Sequence, residues 1–481
     1  MKAKKLSAVV VWKTVPIVEV NSQKNKERKR EMDVLSEIRE NLIMGQADMV
    51  KELVKTALDE GMKVEEVLNE GLISAMNIVG ERFRREEIYV PEVLFSARAM
   101  RAGLEILEPL LIDARVEPKG KAIVGTIKGD IHDIGKNLVI TMLKGAGISI
   151  VDLGVDVSPQ KFVEAAQAEG AELICMSSLI TTSMTYMKTT MLEEIFPSDL
   201  IWMPGDPYLP EAIAAKRKAK GAGPLPRLFE QKSALATMPV PDPRKSKIFT
   251  AYLEMCRKVN SLFDDHWIFG TAPGVWSSIV EFRGAEQLIY DTREDPDFVH
   301  GLMRFGTELA KVRGVAVAET GVNVHFGDPS ASCSLISPKI YREFVKPYHQ
   351  EVFQYVKEKV GGQAKVGLHM CGYIDPIIED IASLPIDWLE MDSPSSLHKA
   401  VEVTQKRIVI RGNVAGPVLS RGIKQEIEEA VKSCLDIAAE GSAYILAPGC
   451  SMPQNASLEA IKYFWEAVQK YGQYDHINMA A

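Results

Sequence analysis

The apolar run Ala122-Ile123-Val124-Gly125-Thr126-Ile127 gives way, across a loop bounded by Gly129 and Gly135, to a helical pattern from about Lys136 to Lys144. This is a strand, a glycine-bearing loop and a helix, and the unit repeats. Strands are expected at 121–127, 148–153 and 172–177, and helices at 136–146, 158–169 and 184–195. Such alternation with short connections implies a parallel, doubly wound, Rossmann-like sheet, whose ligands bind beyond the carboxyl ends of the strands.

The loop itself carries chemistry. His132 is bracketed by Asp130 and Asp133 and by the two glycines. A carboxylate two residues away can hold one imidazole nitrogen and leave the other for a metal. Glycines let the backbone lie against a large flat ligand. A lone histidine in such a loop can equally serve as a cap. Ser177, Thr181, Thr182 and Ser183 fall at the same rim, where hydroxyls either bind a ligand or cap the next helix.

Asp130-x-His132-x-x-Gly135 resembles the signature of cobalamin-binding domains, in which the histidine replaces the ligand's own base beneath cobalt. After Gly135, 41 residues precede Ser177-Ser178-Leu179, which resembles the family's Ser-x-Leu element. The resemblance implies cobalamin held by Asp130, His132, Gly135, Ser177, Leu179, Thr181 and Ser183. Cobalt would sit on His132, and Asp130, His132 and Ser183 would form a proton relay. Where the family places a Gly-Gly pair this chain has Pro204-Gly205-Asp206, so a shortened domain over 116–197 is expected.

Residues 1–31 read as a disordered leader, with a charge run from Asn21 to Arg30. From 32 to 115 apolar residues recur at three- and four-residue steps: Leu35, Ile38 and Leu42, then Val50 and Val54, then Val67 and Leu72. Gly45, Gly61 and Tyr89-Val90-Pro91 divide this stretch into a four-helix bundle, with Met76, Phe83 and Met100 as core. The segment Gly71 to Phe83 resembles the helical cap of small corrinoid carriers, which covers the reactive corrin face.

Beyond a Lys-, Ala-, Gly- and Pro-rich junction at 198–245, strands are expected at 267–271, 314–318, 364–369, 386–391, 407–413 and 442–447. Repeated βα units over 246–474 suggest a TIM-type barrel. Leu200-Ile201-Trp202-Met203 would supply a seventh strand, so one unit is missing or irregular.

His369 and Cys371 close one of these strands and Cys450 follows another. Residues i and i+2 on a strand share a face, and barrel sites sit at carboxyl ends, so the three can converge. Two thiols and an imidazole suit a catalytic zinc with an open position. The competing reading is three buried side chains. His-x-Cys…Cys resembles the zinc motif of corrinoid-dependent methyltransferases in the uroporphyrinogen decarboxylase superfamily, including methylcobamide:coenzyme M enzymes. The segments Gly327-Asp328-Pro329-Ser330 and Arg411-Gly412-Asn413-Val414 agree with it. Glu319, Asp328 and Asp392 are candidates for a fourth ligand or proton acceptor, with His325 and His266 behind them. Cys175, Cys256 and Cys434 read as core, and Cys333 lies near the expected mouth without a partner.

A net charge of −8 argues against nucleic acid. No apolar run reaches the roughly 20 residues of a membrane span. Six cysteines in 481 residues suit a reducing cytoplasm. The expectation is a cobalamin- and zinc-dependent methyltransferase that moves a methyl group between His132-ligated cobalt and a thiol at His369, Cys371 and Cys450. Its partners would be a small methyl donor and a thiol or related acceptor, with a reductive activase and a separate methyltransferase. Two alternatives stay open: a primary methyltransferase demethylating a methoxyaromatic, methylamine, methanol or halomethane onto the corrinoid, and a carrier without activity. Uroporphyrinogen decarboxylase activity is disfavoured, because that chemistry uses no zinc and would not need the N-terminal half.

Overall fold

The structure, a computed structural model, describes residues 34–113, 120–128, 134–145, 148–171, 173–177, 229, 231–240, 242–245, 247–263, 266–362, 364–440, 443–453 and 456–473. Asp130, His132, Leu179, Thr181, Ser183, the leader, the 184–195 helix and the Leu200–Met203 strand lie outside the described residues. Two compact units are formed. One contains the residues up to Glu81 with Phe95–Glu117, and the other contains Arg82–Leu94 with Pro118 onward.

The N-terminal helices run over 34–43, Ala47–Asp59, a continuous stretch of Val64–Glu66, Val67–Ile73 and Ser74–Arg84, and Val90–Asp113. Four helices were expected, and they form because the apolar residues fall on single stripes. In the first unit Ile38, Leu42, Val50, Val54, Leu72, Met76 and Met100 are buried. Phe83 departs from expectation and is exposed. It sits on the last turn of its helix beside Arg82 and Arg84, where the polar face begins.

The doubly wound part begins with β1 (Gly120–Thr126), β2 (Ile148–Asp152) and β3 (Leu173–Ser177), all parallel in the order β2-β1-β3. β1 is central and therefore apolar on both faces. Ala122 and Val124 pack with Ile140 on one side, and Ile123 packs with Val157 and Phe162 on the other. The helix Pro159–Glu169 starts where the Ser158 hydroxyl accepts the Lys161 amide and ends on left-handed Gly170. Gly135 lies in the first turn of the helix Ile134–Gly145, and Ser177 ends β3, at the carboxyl edge. Lys136 in that first turn is buried, and its ammonium sits 2.7 Å from the Asp152 carboxylate and from Asn137 Oδ1. A cation is disfavoured at a helix N-terminus. Asp152 offsets that cost and pins the turn to the end of β2.

The second sheet has six parallel strands in sequence order: β4 (Phe269–Pro273), β5 (Asn323–Gly327), β6 (Val366–Met370), β7 (Trp388–Met391), β8 (Val409–Val414) and β9 (Tyr444–Pro448). Helices follow the strands, as in a barrel of βα units, and β9 does not pair with β4 among the described residues. Five of these strands fall within three residues of their expected positions. The expected strand at 314–318 is instead the end of the 23-residue helix Pro296–Ala318, and β5 lies beyond it. Val315-Ala316-Val317 is apolar all round because that face of the helix is buried against the sheet. A short apolar run of this kind has no period that separates strand from helix. The start was legible: the Asp295 side chain accepts the Phe298 amide, and Pro296 takes the first position.

Along the strands, alternation sorts the side chains. Val324, Phe326, Val366, Leu368, Leu389 and Met391 are buried among the helices. The opposite faces of the same strands carry His325, Gly327, Gly367, His369, Trp388 and Glu390. Register then places Gly327, His369, Glu390 and Arg411 in one row across β5 to β8. His325, Gly367, Trp388 and Val409 form the row beneath.

Candidate metal centre

His369 sits at the carboxyl end of β6, Cys371 immediately follows that strand, and Cys450 lies two residues past β9. The three side chains converge. His369 Nε2 is 2.9 Å from Cys371 Sγ, the two sulfurs are 3.4 Å apart, and Cys450 Sγ is 3.7 Å from His369 Nε2. A tetrahedral zinc with bonds of about 2.3 Å to sulfur and about 2.0 Å to nitrogen holds its donors roughly 3.5–3.8 Å apart. Only the Cys450–His369 separation falls in that range and the two to Cys371 are shorter, so the set matches a soft-to-borderline metal in donor chemistry and convergence, and Cys371 would move outward to hold one. All three residues are half-buried, which leaves room for a further ligand.

The turn that brings Cys371 round depends on Gly372, whose φ is +75° and whose missing side chain leaves space for Ser334. Asp392 accepts the Gly372 and Ser393 amides, which fastens this turn to the one after β7. The thiols behave as a pair. The hydrogen bond with Cys371, and then that with His369, draws Cys450 down to about 4 against its burial. The same bond and burial push Cys371 up. One thiolate is thus already favoured next to an imidazole.

Behind His369 lies a polar group that sequence reading missed. Glu390 Oε2 is 3.6 Å from His369 Nδ1 and accepts a 2.8 Å hydrogen bond from His325 Nε2. Its other oxygen is 2.8 Å from Arg411 Nη1. Burial alone would raise the Glu390 carboxyl, but the His325 hydrogen bond and the His369 and Arg411 charges outweigh it and hold the group low. The Trp388 indole N–H donates to His325 Nδ1 over 3.0 Å. An indole can only donate, so Nδ1 is the accepting nitrogen and Nε2 carries the proton given to Glu390. Burial keeps His325 neutral by lowering its pKa. Both of its nitrogens are therefore engaged, and it is not a metal ligand. The signal was present in Trp388-Leu389-Glu390-Met391, where a carboxylate interrupts an apolar strand on its inward face.

A cavity of about 620 Å3 opens over this group, lined among others by Phe269, Thr271, His369, Arg411, Cys450 and Met452. The Arg411 guanidinium lies 5.4 Å from the Phe269 ring centre.

The other candidates are placed elsewhere. Asp328 is fully buried. It accepts the Trp276 and Ser277 amides and the Ser277 hydroxyl, and pairs with His349 Nε2 at 2.8 Å, so it caps the helix Val275–Arg283. Glu319 follows a helix rather than a strand, which puts it at the amino end of β5, where it pairs with Arg244. His266 is exposed, edge-on to Phe263. Cys256 and Cys434 are buried and Cys175 is half-buried. Cys333 is also buried, and that burial raises its thiol to about 12, so it is inert at neutral pH.

No helix of the described residues is long and apolar enough to cross a membrane. Residues 34–108 and 120–220 match B12 binding domain families, and 209–471 match the uroporphyrinogen decarboxylase (URO-D) family. A corrinoid protein of Desulfitobacterium hafniense is 40% identical over 160 residues, 33% of this chain and 74% of that one. Trimethylamine corrinoid protein 2 of Methanosarcina acetivorans is 36% identical over 154 residues, 32% of this chain and 71% of that one. Among solved structures, a methyltransferase from Methanosarcina mazei is 21% identical, covers 66% of this chain and 86% of its own, and has a TM-score of 0.45. The chain belongs to the uroporphyrinogen decarboxylase family over its C-terminal half and to the corrinoid proteins over its N-terminal third, a fusion of the corrinoid-dependent methyltransferase class.

Proposed function

We propose that the chain moves a methyl group between a corrinoid in its N-terminal third and a thiol bound at His369, Cys371 and Cys450. The observation that supports this most is the convergence of those three donors within 3.7 Å, with His369 and Cys450 lining a cavity, in a chain that also matches B12 binding domains. Zinc bound there would act as a Lewis acid that keeps a substrate thiol ionised at neutral pH. His132 would hold the cobalt of a bound cobalamin, which would supply the methyl-carrying chemistry.

The protein's own residues prepare the site for this. Cys450 is held toward the thiolate that a metal ligand must be. Asp392 fixes the Cys371 turn through backbone amides. Phe269 and Met452 give the cavity an apolar wall beside the donors, which lowers the local dielectric and excludes competing water. Asp130, Gly135, Ser177, Leu179, Thr181 and Ser183 are proposed to seat the corrin and its tail.

Direction is tested by spectroscopy. The chain is loaded with methylated corrinoid and mixed with a small thiol, and in parallel the reduced corrinoid is mixed with methylated donors and no thiol. Thiol-dependent loss of the methyl–cobalt spectrum supports the proposed reading. Donor-driven appearance of that spectrum without thiol would instead make the barrel a primary methyltransferase.

A further inference from the structure

We propose that Glu390 is a positioning residue that aims His369 at the metal, and that His325 and Trp388 exist to hold Glu390 in place. The inference rests on the zinc reading above. Its starting point is His369 Nδ1, a buried nitrogen with no hydrogen-bond partner, which faces Glu390 Oε2 at 3.6 Å. When Nε2 is the metal-binding nitrogen, Nδ1 carries the proton. A carboxylate beyond Nδ1 then fixes the ring's tautomer and rotation and strengthens its donation.

What distinguishes Glu390 from an incidental acid is how completely it is held. It lies inside the barrel sheet rather than on a loop, beside His369 in register. One oxygen receives His325 Nε2–H, and the other faces Arg411. His325 is in turn fixed in the neutral, Nε2–H form by the Trp388 indole. That contact has its own cause in the chain. His325, Gly367 and Trp388 share a row of the sheet, and a Cβ at Gly367 would collide with the Trp388 ring. With glycine there, the indole reaches across β6 and stacks on His325, the planes 6° apart and the centres at 5.5 Å. The series Gly367, Trp388, His325, Glu390, His369 thus runs from a packing requirement to a metal ligand, each member positioning the next.

The test is zinc affinity of the full chain, measured by competition with a chromophoric chelator, beside its urea stability. Glu390→Gln keeps the shape and should weaken zinc by about 10- to 100-fold. Glu390→Leu should weaken it further. His325→Phe, which leaves every ligand and Glu390 in place, should fall between wild type and Glu390→Leu. A purely structural role would lower stability and leave the zinc affinity of the folded protein unchanged. Wild-type affinity in both Glu390 variants would overturn the positioning role and leave the zinc reading standing. A wild-type chain that takes up no zinc would overturn both.

Discussion

Cys450 meets Cys371 across 79 residues of sequence, and neither is placed by its neighbours alone. His369 near the end of β6 and Cys371 just past it lie two residues apart, so that pair was readable from spacing. The arrival of Cys450 needed the sheet to bring β9 round. The carboxylates were less legible. Asp328 and Asp392 do follow strands, yet both spend their oxygens on backbone amides. The acid that does face the site, Glu390, sits within a strand where sequence reading expects core. On the proposed zinc reading Cys450→Ala removes a ligand rather than an outer partner, so the loss of zinc affinity should exceed the roughly 100-fold ceiling for outer partners. Methyl transfer should fall with it. Full transfer by a zinc-free Cys450→Ala protein, assayed with metal analysis on the same sample, would remove the metal from the account. His132→Ala belongs to the same scale. It should abolish the base-off, histidine-on cobalamin spectrum, and a spectrum like the wild type's would reassign the cobalt ligand.

At the scale of elements, most strands were visible as short apolar runs between glycines, because parallel strands buried on both faces read that way. The tail of the helix Pro296–Ala318 was misread because burial erased its period, and distance along the chain from its Asp295 cap hid the connection. Charged ties between helices left no sequence signal at all. Asp380, on the short helix Ile378–Ala382, accepts Arg342 Nε at 2.8 Å and Lys346 Nζ at 2.9 Å from the helical stretch before β6. Burial raises its carboxyl, but the hydrogen bonds from Lys346 and Arg342 outweigh this and hold it below the usual range. A carboxylate depressed in the folded state stabilises above its unfolded pKa of about 3.9, and that contribution is lost as pH falls through the folded value. Asp380→Asn should therefore cost about 1–2 kcal/mol at pH 7. In urea titrations the gap from wild type should close as the pH drops below about 4. A gap that did not narrow at all as the pH fell below about 4 would mean packing, not charge, joins the helices.

At the scale of the molecule, one chain joins B12 binding domains to a uroporphyrinogen decarboxylase domain. Tethering gives two such sites a fixed effective concentration, which suits a methyl group that has to pass between them. Both halves were legible through motif resemblance, Asp130-x-His132-x-x-Gly135 in one and His369-x-Cys371 with Cys450 in the other, and the family matches bear out that recognition. The central claim is that both metals serve one chain, and metal analysis of the purified protein after reconstitution with cobalamin tests it most directly. The account predicts about one cobalt and about one zinc per chain, with the zinc lost in Cys450→Ala and the cobalt retained. Cobalt without zinc in the wild-type protein would contradict it.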